Sequence, residues 1–226
     1  MKVLVACERS GAVRDAFAAR GHEAWSCDVR AAPGNHFQCD VLEIADGRWD
    51  LMIAHPPCTH LATSGARWMA DKKKQGLLDF RDGQLRDVQA RSFAFVRALL
   101  ATRIPRIAIE NPVGVLSSLL RKPDQIVHPW QFGDSFSKRT CLWLYGLPPL
   151  VPTEIVERGE IAIHGGKRIP RWYSNRERDR SATFPGMARA MAEQWGCLEV
   201  EPVLRSPRGG SLDAAAELEV STRPTD

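Results

Sequence analysis

A cysteine behind two prolines is the residue best suited to covalent chemistry in this chain. Cys58 follows Pro56, Pro57 and the apolar run 50–54, a run typical of a strand buried on both faces. Prolines lack an N–H donor and fix φ, so the strand must end near His55. Ligands of open α/β sheets bind just beyond the carboxyl ends of strands. The pattern therefore predicts a nucleophile at Cys58, with a buried structural cysteine as the alternative.

A second apolar run ends in the same way. Residues 106–112 read as a strand stopped by Pro112, with Glu110 and Asn111 at its end. A carboxylate at the end of a central strand is costly to bury alone, so we expect it to have a partner or a chemical role. If both strands lie in the centre of one sheet, the Cys58 thiol and the Glu110 carboxyl face one pocket.

The N-terminal pattern is that of a nucleotide-binding α/β domain. An apolar run at 3–7 predicts a buried strand, Gly11 marks a turn, and residues 12–20 form a helical pattern ended by Gly21. Strand, glycine turn and helix in this order open many nucleotide-binding folds. The GxGxxG fingerprint is absent, and only Gly11 stands in the turn.

Two acids follow the next predicted strands. Asp28 ends the strand pattern 22–28, where a carboxylate can accept bonds from both hydroxyls of a ribose. Asp40 lies in the pattern 37–41 and can accept a bond from an adenine amino group. Each acid has an equally plain structural interpretation as the cap of a helix or turn.

The remaining periodicity predicts a helix over 84–100, a late strand over 140–144 and a helix over 187–195. We therefore expect an α/β fold with a mostly parallel sheet and helices on both faces. The predicted organisation has four parts: a cofactor-binding and catalytic domain at 1–150, a short basic target-contact segment at 151–182, a C-terminal helix returning to the catalytic domain at 183–198, and a disordered tail at 205–226.

Basic residues interleave with aromatic ones in part of the segment 151–182. Arg171, Trp172 and Arg176 are typical of contact with nucleic acid, because cations pair with phosphates and aromatic faces stack on bases. The alternative is an ordinary polar excursion. The lysine run 72–74 is likewise either a solvated face or a phosphate contact.

Composition limits the other possibilities. The 226 residues are 44% hydrophobic and 26% charged, and a formal net charge of +4 leans weakly toward an anionic partner. No signal peptide and no stretch near the length of a membrane span is found, so we expect a cytoplasmic monomer that does not bind membranes. No CxxC pair is present, so neither a zinc site nor a disulfide framework is predicted. The six cysteines are scattered along the chain: Cys7, Cys27, Cys39, Cys58, Cys141 and Cys197.

The order of these motifs resembles that of the cytosine-5 DNA methyltransferases, most closely their short phage or prophage-encoded members. The resemblance covers roughly residues 2–196. Residues 55–58 are similar to the family's Pro-Cys motif, residues 110–112 to its Glu-Asn-Val motif, and residues 137–140 to its arginine-containing strand entry. It implies a Rossmann-like S-adenosylmethionine-dependent methyltransferase fold, with S-adenosylmethionine held by Cys7, Glu8, Ser10, Gly11, Asp28, Asp40 and Pro56.

The resemblance also implies a reaction and a partner, which is DNA in a bacterial or phage-infected cell. Cys58 adds to carbon 6 of cytosine and thereby makes carbon 5 nucleophilic. Glu110 binds the ring nitrogen and needs a proton for part of the cycle, which burial favours. Arg139 assists at the ring carbonyl, and the base is flipped out of the duplex. The implied substrate-binding residues are Pro57, Asn111, Lys138, Arg171, Trp172 and Arg176.

Several residues depart from the family pattern. His55 replaces a glycine and Thr59 a glutamine, and the usual pair of glycines before Gly11 is missing. Three alternatives stay open: methylation of an amino group, a module that binds without turnover, and a cysteine hydrolase that uses Cys58 with His60 or His55. Retention of Cys58 and Glu110 favours an enzyme over a binding module.

Overall fold

The computed structural model describes residues 1–63, 82–159, 161–164, 167–170 and 182–198, with the backbone alone for 82–87, 161–164 and 167–170. The strands are β1 (Lys2–Ala6), β2 (Glu23–Asp28), β3 (His36–Gln38), β4 (Leu51–Ala54), β5 (Arg106–Pro112), β6 (Gln125–Val127), β7 (Thr140–Tyr145), β8 (Ile161–His164) and β9 (Lys167–Pro170). The helices are α1 (Ala12–Ala18), α2 (Asp82–Ala101), α3 (Leu116–Leu119) and α4 (Pro185–Gly196).

Seven strands form one sheet in the order β3-β2-β1-β4-β5-β7-β6. The first five of these are parallel, and β7 runs antiparallel to both of its neighbours. All four residues of β4 are buried, as a strand covered on both faces requires. This mostly parallel sheet confirms the predicted Rossmann-like α/β class, and it is consistent with the methyltransferase fold that the resemblance implies.

Helices cover both faces of the sheet. On one face, α1 and α4 pack on side chains such as Val5 and Ile53. On the other face, α2 and α3 cover Leu4 and Met52. Alternate residues of a strand point to opposite faces, so each central strand contributes to both clusters.

The two largest fully buried side chains are tryptophans, and one of them places the C-terminal helix in the core. Trp195 of α4 is fully buried and donates its indole N–H to the Pro148 carbonyl at 3.0 Å. Trp143 of β7 is also fully buried and donates to the Arg121 carbonyl at 2.7 Å. Both indole N–H groups have a hydrogen-bond partner, so burying these side chains does not cost the free energy of an unpaired donor.

Some elements differ from the sequence-based expectations. The third strand is short and gives way to a 3-10 turn at Val41–Glu43, because Asp40 caps that turn. A two-stranded unit of β8 and β9 lies within the segment for which little periodicity was found. The strand at Arg106–Pro112 matches its predicted bounds. None of the helices in the described ranges has the length and apolar character needed to cross a membrane.

Candidate active site

The candidate active site forms where β4 and β5 end side by side. The two strands are parallel neighbours, with Ala54 paired to Ile109 in register. His55 and Glu110 therefore follow as the next adjacent pair, and a hydrogen bond of 3.0 Å joins His55 Nδ1 to Glu110 Oε2. Both predicted strand ends thus meet at the carboxyl edge of the central sheet, where open α/β folds bind ligands.

Hydrogen bonds tie the turn after β4 to the turn after β5. The Asn111 amide donates to the Pro56 carbonyl at 2.9 Å. Further along, Val115 N–H donates to the Leu61 carbonyl at 2.8 Å. A side chain at Gly114 would collide with that same Leu61 carbonyl. This second link therefore depends on a glycine, and together the two links fix the position of Cys58 relative to β5.

Cys58 itself stands in a closed turn. Its carbonyl accepts bonds from Leu61 N–H at 3.0 Å and from Ala62 N–H at 2.8 Å. Residues 61–63 are bonded to this turn and to the turn after β5, and residues 64–81 lie outside the described ranges. The cysteine is exposed as a residue, although its sulfur is partly desolvated by the surrounding protein.

The pKa of the Cys58 thiol is raised. The largest cause is partial desolvation of the sulfur by surrounding protein, and the negative charge of Glu110 adds to it. The positive charge of Lys138 and a backbone hydrogen bond act in the opposite direction. At rest the sulfur is therefore a thiol whose ionisation Glu110 suppresses, which also shows that the carboxyl and the sulfur share one electrostatic environment.

Burial favours the protonated form of Glu110, as expected, but it does not decide the protonation state at rest. Burial is the largest single influence and does raise its pKa, but the hydrogen bond from His55 and the charge of Lys138 outweigh it. The net effect lowers the pKa of Glu110, so the carboxyl is ionised at rest. Any proton that it donates must arrive together with the substrate.

Lys138, rather than Arg139, is the basic residue whose charge acts on both central groups. It lowers the pKa of Cys58 and that of Glu110. Arg139 is exposed, and its charge acts instead on Cys141 and His128. Residues 138 and 139 lead directly into β7, and successive side chains of an extended chain point in opposite directions. The catalytic role expected of Arg139 stays a prediction, and Lys138, expected to bind substrate, is the cation whose charge acts on Cys58 and Glu110.

Asn111, predicted to bind substrate, is 1% exposed, and its amide donates to the Pro56 carbonyl. Two buried polar atoms at this edge of the sheet, Asn111 Oδ1 and His55 Nε2, have no hydrogen-bond partner among the described residues. Unpaired buried polar atoms are rare in folded proteins. Pro56 is buried as well, whereas Pro57 is exposed beside Cys58.

The hydrolase alternative gains an orienting acid for His55 but no bond from His55 to the nucleophile. Glu110 bonded to His55 is the arrangement in which an acid orients a histidine. However, the Nε2 atom of His55 makes no bond to the Cys58 sulfur in the described structure. The histidine is therefore engaged with the carboxyl and not with the nucleophile.

The turn between β1 and α1 is organised by a buried carboxylate. Glu8 is 4% exposed and accepts bonds from Val13 N–H at 2.8 Å, Arg14 N–H at 3.2 Å and the Ser10 hydroxyl at 3.1 Å. Glu8 thus occupies the positive N-terminus of α1, a place where many α/β proteins bind phosphate. Gly11, at φ 76°, leaves room for the Arg14 guanidinium.

Replacing Glu8 is expected to destabilise the fold. Glu8→Ala leaves the two buried N–H groups of α1 without partners, and we expect the free energy of unfolding to fall by about 1–3 kcal/mol. Urea denaturation measures this change, with Glu23→Ala as a control because Glu23 is half exposed in a surface ion pair. An unchanged midpoint for Glu8→Ala would show that its bonds do not stabilise α1.

Three predicted cofactor residues lie close together beside this turn. Burial raises the pKa of the Cys7 thiol to about 12, and the charges of Asp28 and Asp40 contribute. Asp28 accepts two bonds from Arg30 through Oδ1, and Asp40 caps the 3-10 turn by accepting from Leu42 N–H at 3.0 Å. Both acids thus have the local roles named as alternatives, and each local role uses one carboxylate oxygen.

Other predicted residues lie outside the described residues. These are Arg171, Trp172 and Arg176, the lysine run 72–74, and the proposed tail 205–226. A separate open groove of about 440 Å³ lies near the amino ends of β1 and β2, lined by Trp25, Phe37 and Trp49 among others. It is at the opposite end of the sheet from Cys58.

Fold and site together define a Rossmann-like α/β protein with a thiol and a carboxyl at its central strand ends. No protein-family model matches the sequence, and neither does any curated protein. Among solved structures, the chain is similar to a proposed DNA modification methyltransferase encoded within a prophage of E. coli, with 16% identity and a TM-score of 0.40. The similarity covers 70% of this chain and 52% of that one, so the chain spans about half of that protein's length.

Proposed function

We propose that the protein transfers a methyl group to carbon 5 of cytosine in DNA. The observation that carries this proposal is the joint placement of Cys58 and Glu110. Two adjacent parallel strands end together, two hydrogen bonds lock the following turns, and Glu110 acts electrostatically on the Cys58 thiol. Cytosine activation needs this pair, a nucleophile for carbon 6 and an acid for the ring nitrogen.

The electrostatics support a nucleophile that is activated by its substrate. With Glu110 ionised, its charge raises the pKa of Cys58. When the carboxyl shares a proton with the ring nitrogen of a bound cytosine, that charge is neutralised and Lys138 alone acts on the sulfur. The pKa of Cys58 then falls, so thiolate forms mainly when a base is in place.

The turn between β1 and α1 supports S-adenosylmethionine as the cofactor, which supplies an electrophilic methyl group when bound. A dinucleotide would need the α1 N-terminus for its pyrophosphate, but Glu8 fills that position. An adenosyl compound without phosphate meets no such conflict. The unused oxygens of Asp28 and Asp40 are the groups we assign to its ribose and adenine.

Cofactor binding is expected to depend on both acids. Asp28→Ala and Asp40→Ala should each weaken binding of S-adenosylmethionine by about 1–3 kcal/mol, because each removes a charged acceptor for a polar group of the cofactor. Titration calorimetry measures the loss, and Asp46→Ala serves as a control since Asp46 is exposed and outside this cluster. Equal affinity of all three variants would place the cofactor elsewhere.

A basic and aromatic surface next to Lys138 supports DNA as the substrate. The Arg158 guanidinium lies 4.7 Å from the centre of the Trp130 ring, and His128 packs against the same ring. Arg139 and Arg158 are exposed, and both charges act on His128. Arginines for phosphates and aromatic faces for bases are the usual elements of such surfaces. We assign DNA contact to this surface together with the basic sequence around Arg171 and Arg176.

Nucleoside mass spectrometry tests the proposal directly. DNA incubated with the protein and S-adenosylmethionine is digested and compared with DNA incubated without cofactor. We expect 5-methylcytosine to accumulate. Methylation on an amino group of cytosine or adenine would replace this proposal with the amino-methyltransferase alternative. A complete absence of modified bases, with cofactor binding intact, would favour a non-catalytic module.

A further inference from the structure

We propose that His55 is a positioning residue of the reaction, which acts through Glu110 by holding one carboxyl oxygen and leaving the other for the base. This inference rests on the proposed function and goes beyond the family pattern, in which a glycine stands at this position. In this protein the imidazole of His55 holds the Glu110 carboxyl in position for the base.

The geometry makes His55 a rigid support. Its backbone N–H donates to the Ala6 carbonyl at 2.9 Å, so it continues the ladder between β4 and β1. Its ring reaches Glu110 Oε2 at 3.0 Å, and the two side chains are only 11% and 13% exposed. A short bond between two enclosed side chains on adjacent strand ends allows the carboxyl little freedom to rotate.

The bond also determines which atoms remain for the substrate. Glu110 is ionised at rest, so Nδ1 of His55 carries the hydrogen that it donates to Oε2. Oε1 is then the oxygen that can face the ring nitrogen of cytosine. Across the ring, Nε2 of His55 is buried without a partner among the described residues.

The proposed step is balanced as follows. When cytosine binds, the Cys58 thiol loses its proton, which passes through solvent to Glu110 Oε1 and is shared there with N3 of the base. The Cys58 thiolate gives an electron pair to carbon 6, forming the S–C6 bond, and the C5=C6 π pair moves to C4–C5. The C4=N3 π pair then settles on N3, which takes the shared proton completely. The Nδ1–H group of His55 stabilises the carboxylate that this transfer leaves.

The charged and titratable groups around the His55–Glu110 hydrogen bond come from three elements. Cys58 lies on the turn that carries His55, Glu110 ends β5, and Lys138 precedes β7. Removing the His55 donor should leave burial as the dominant influence on Glu110 and raise the pKa of that carboxyl. His55→Asn retains an N–H donor near the position of Nδ1, whereas His55→Ala retains none.

The test compares these two variants with wild type and with His22→Ala, a histidine in the distant turn before β2. We expect His55→Ala to lower kcat by about 10²-fold through loss of orientation and His55→Asn by about tenfold or less. The limb of the pH profile of kcat/KM that belongs to Glu110 should move to higher pH in His55→Ala. His22→Ala should leave the rate and the profile unchanged.

A second measurement does not depend on turnover. In protein labelled with ¹³C at glutamate Cδ, the Glu110 signal, identified by its loss in Glu110→Gln, should titrate at higher pH in His55→Ala than in wild type. An unmoved titration and an unmoved pH profile would overturn the role of His55 while leaving the proposed function intact. Wild-type protein that methylates no cytosine would overturn the proposed function and this inference with it.

Discussion

Cys58→Ser is expected to abolish methyl transfer while leaving cofactor affinity nearly unchanged. The sulfur must bond to carbon 6 before carbon 5 can accept a methyl group, and a serine hydroxyl at this position has no general base bonded to it. We expect the rate to fall by on the order of 10⁴ or more. Radiolabelled methyl incorporation into DNA measures the rate, and calorimetry measures cofactor binding.

A covalent trap tests the same role independently. DNA that carries 5-fluorocytosine should form a stable adduct with wild-type protein, because fluorine cannot leave carbon 5 as a proton does. The adduct should be absent with Cys58→Ser and present with Cys197→Ser, which replaces an exposed cysteine at the end of α4. An adduct that maps to another cysteine would disprove the central assignment.

Glu110→Gln is expected to have two opposite effects on the site. It should lower turnover by about 10²–10⁴-fold, because the amide cannot pass a proton to the ring nitrogen. It should also lower the pKa of Cys58, because the negative charge that raises that pKa is removed while Lys138 remains. The variant should therefore have a more reactive thiol and less catalysis.

Alkylation by iodoacetamide across a pH series, with mass spectrometry of the Cys58 peptide, measures the pKa of the thiol. Lys138→Gln is the matched opposite, since loss of its positive charge should raise the pKa of Cys58. Glu43→Gln, on the exposed 3-10 turn, should change neither quantity. If Glu110→Gln raises the pKa of the Cys58 thiol or leaves it unchanged, Cys58 and residue 110 do not share the pocket that the mechanism requires.

The sequence predicted the parts of the fold that depend on local apolar patterns. The run 50–54 could only be a buried strand, and the prolines behind it could only end that strand. The run at Arg106–Pro112 was equally clear, and its bounds match the structure. Because parallel strands end at one edge of a sheet, the meeting of Cys58 and Glu110 followed from the assumption that both strands are central.

The partners of these residues could not be predicted in the same way. The bond from His55 to Glu110 spans 55 positions and depends on which strands are neighbours and in which register. The ionised state of Glu110 follows from that bond and from Lys138, whereas sequence reasoning counted burial alone. Asn111 stays a predicted substrate contact that the resemblance implies, and only the fold shows that its amide donates to the Pro56 carbonyl.

The effect of Lys138 on Cys58 and Glu110 could not be predicted for a related reason. The sequence motif gave two adjacent cations at the entry to β7, and the register of β7 decides which of them acts on these two groups. A one-residue shift moves a side chain to the opposite face of a sheet. This register is set by the pairing of Asn111 with Cys141 and of Pro112 with Thr140, which no local pattern encodes.

The reversed direction of β7 has a consequence for how such a site can diversify. Parallel strands contribute the residues that follow them, but β7 contributes the residues that precede it, so the connection from β6 to β7 opens directly onto the catalytic edge. That connection also carries Trp130. Insertions there would remodel the rim of the pocket without altering the spacing between Cys58 and Glu110. Changes in target preference can therefore accumulate in a stretch of chain separate from the two turns that hold the reacting groups.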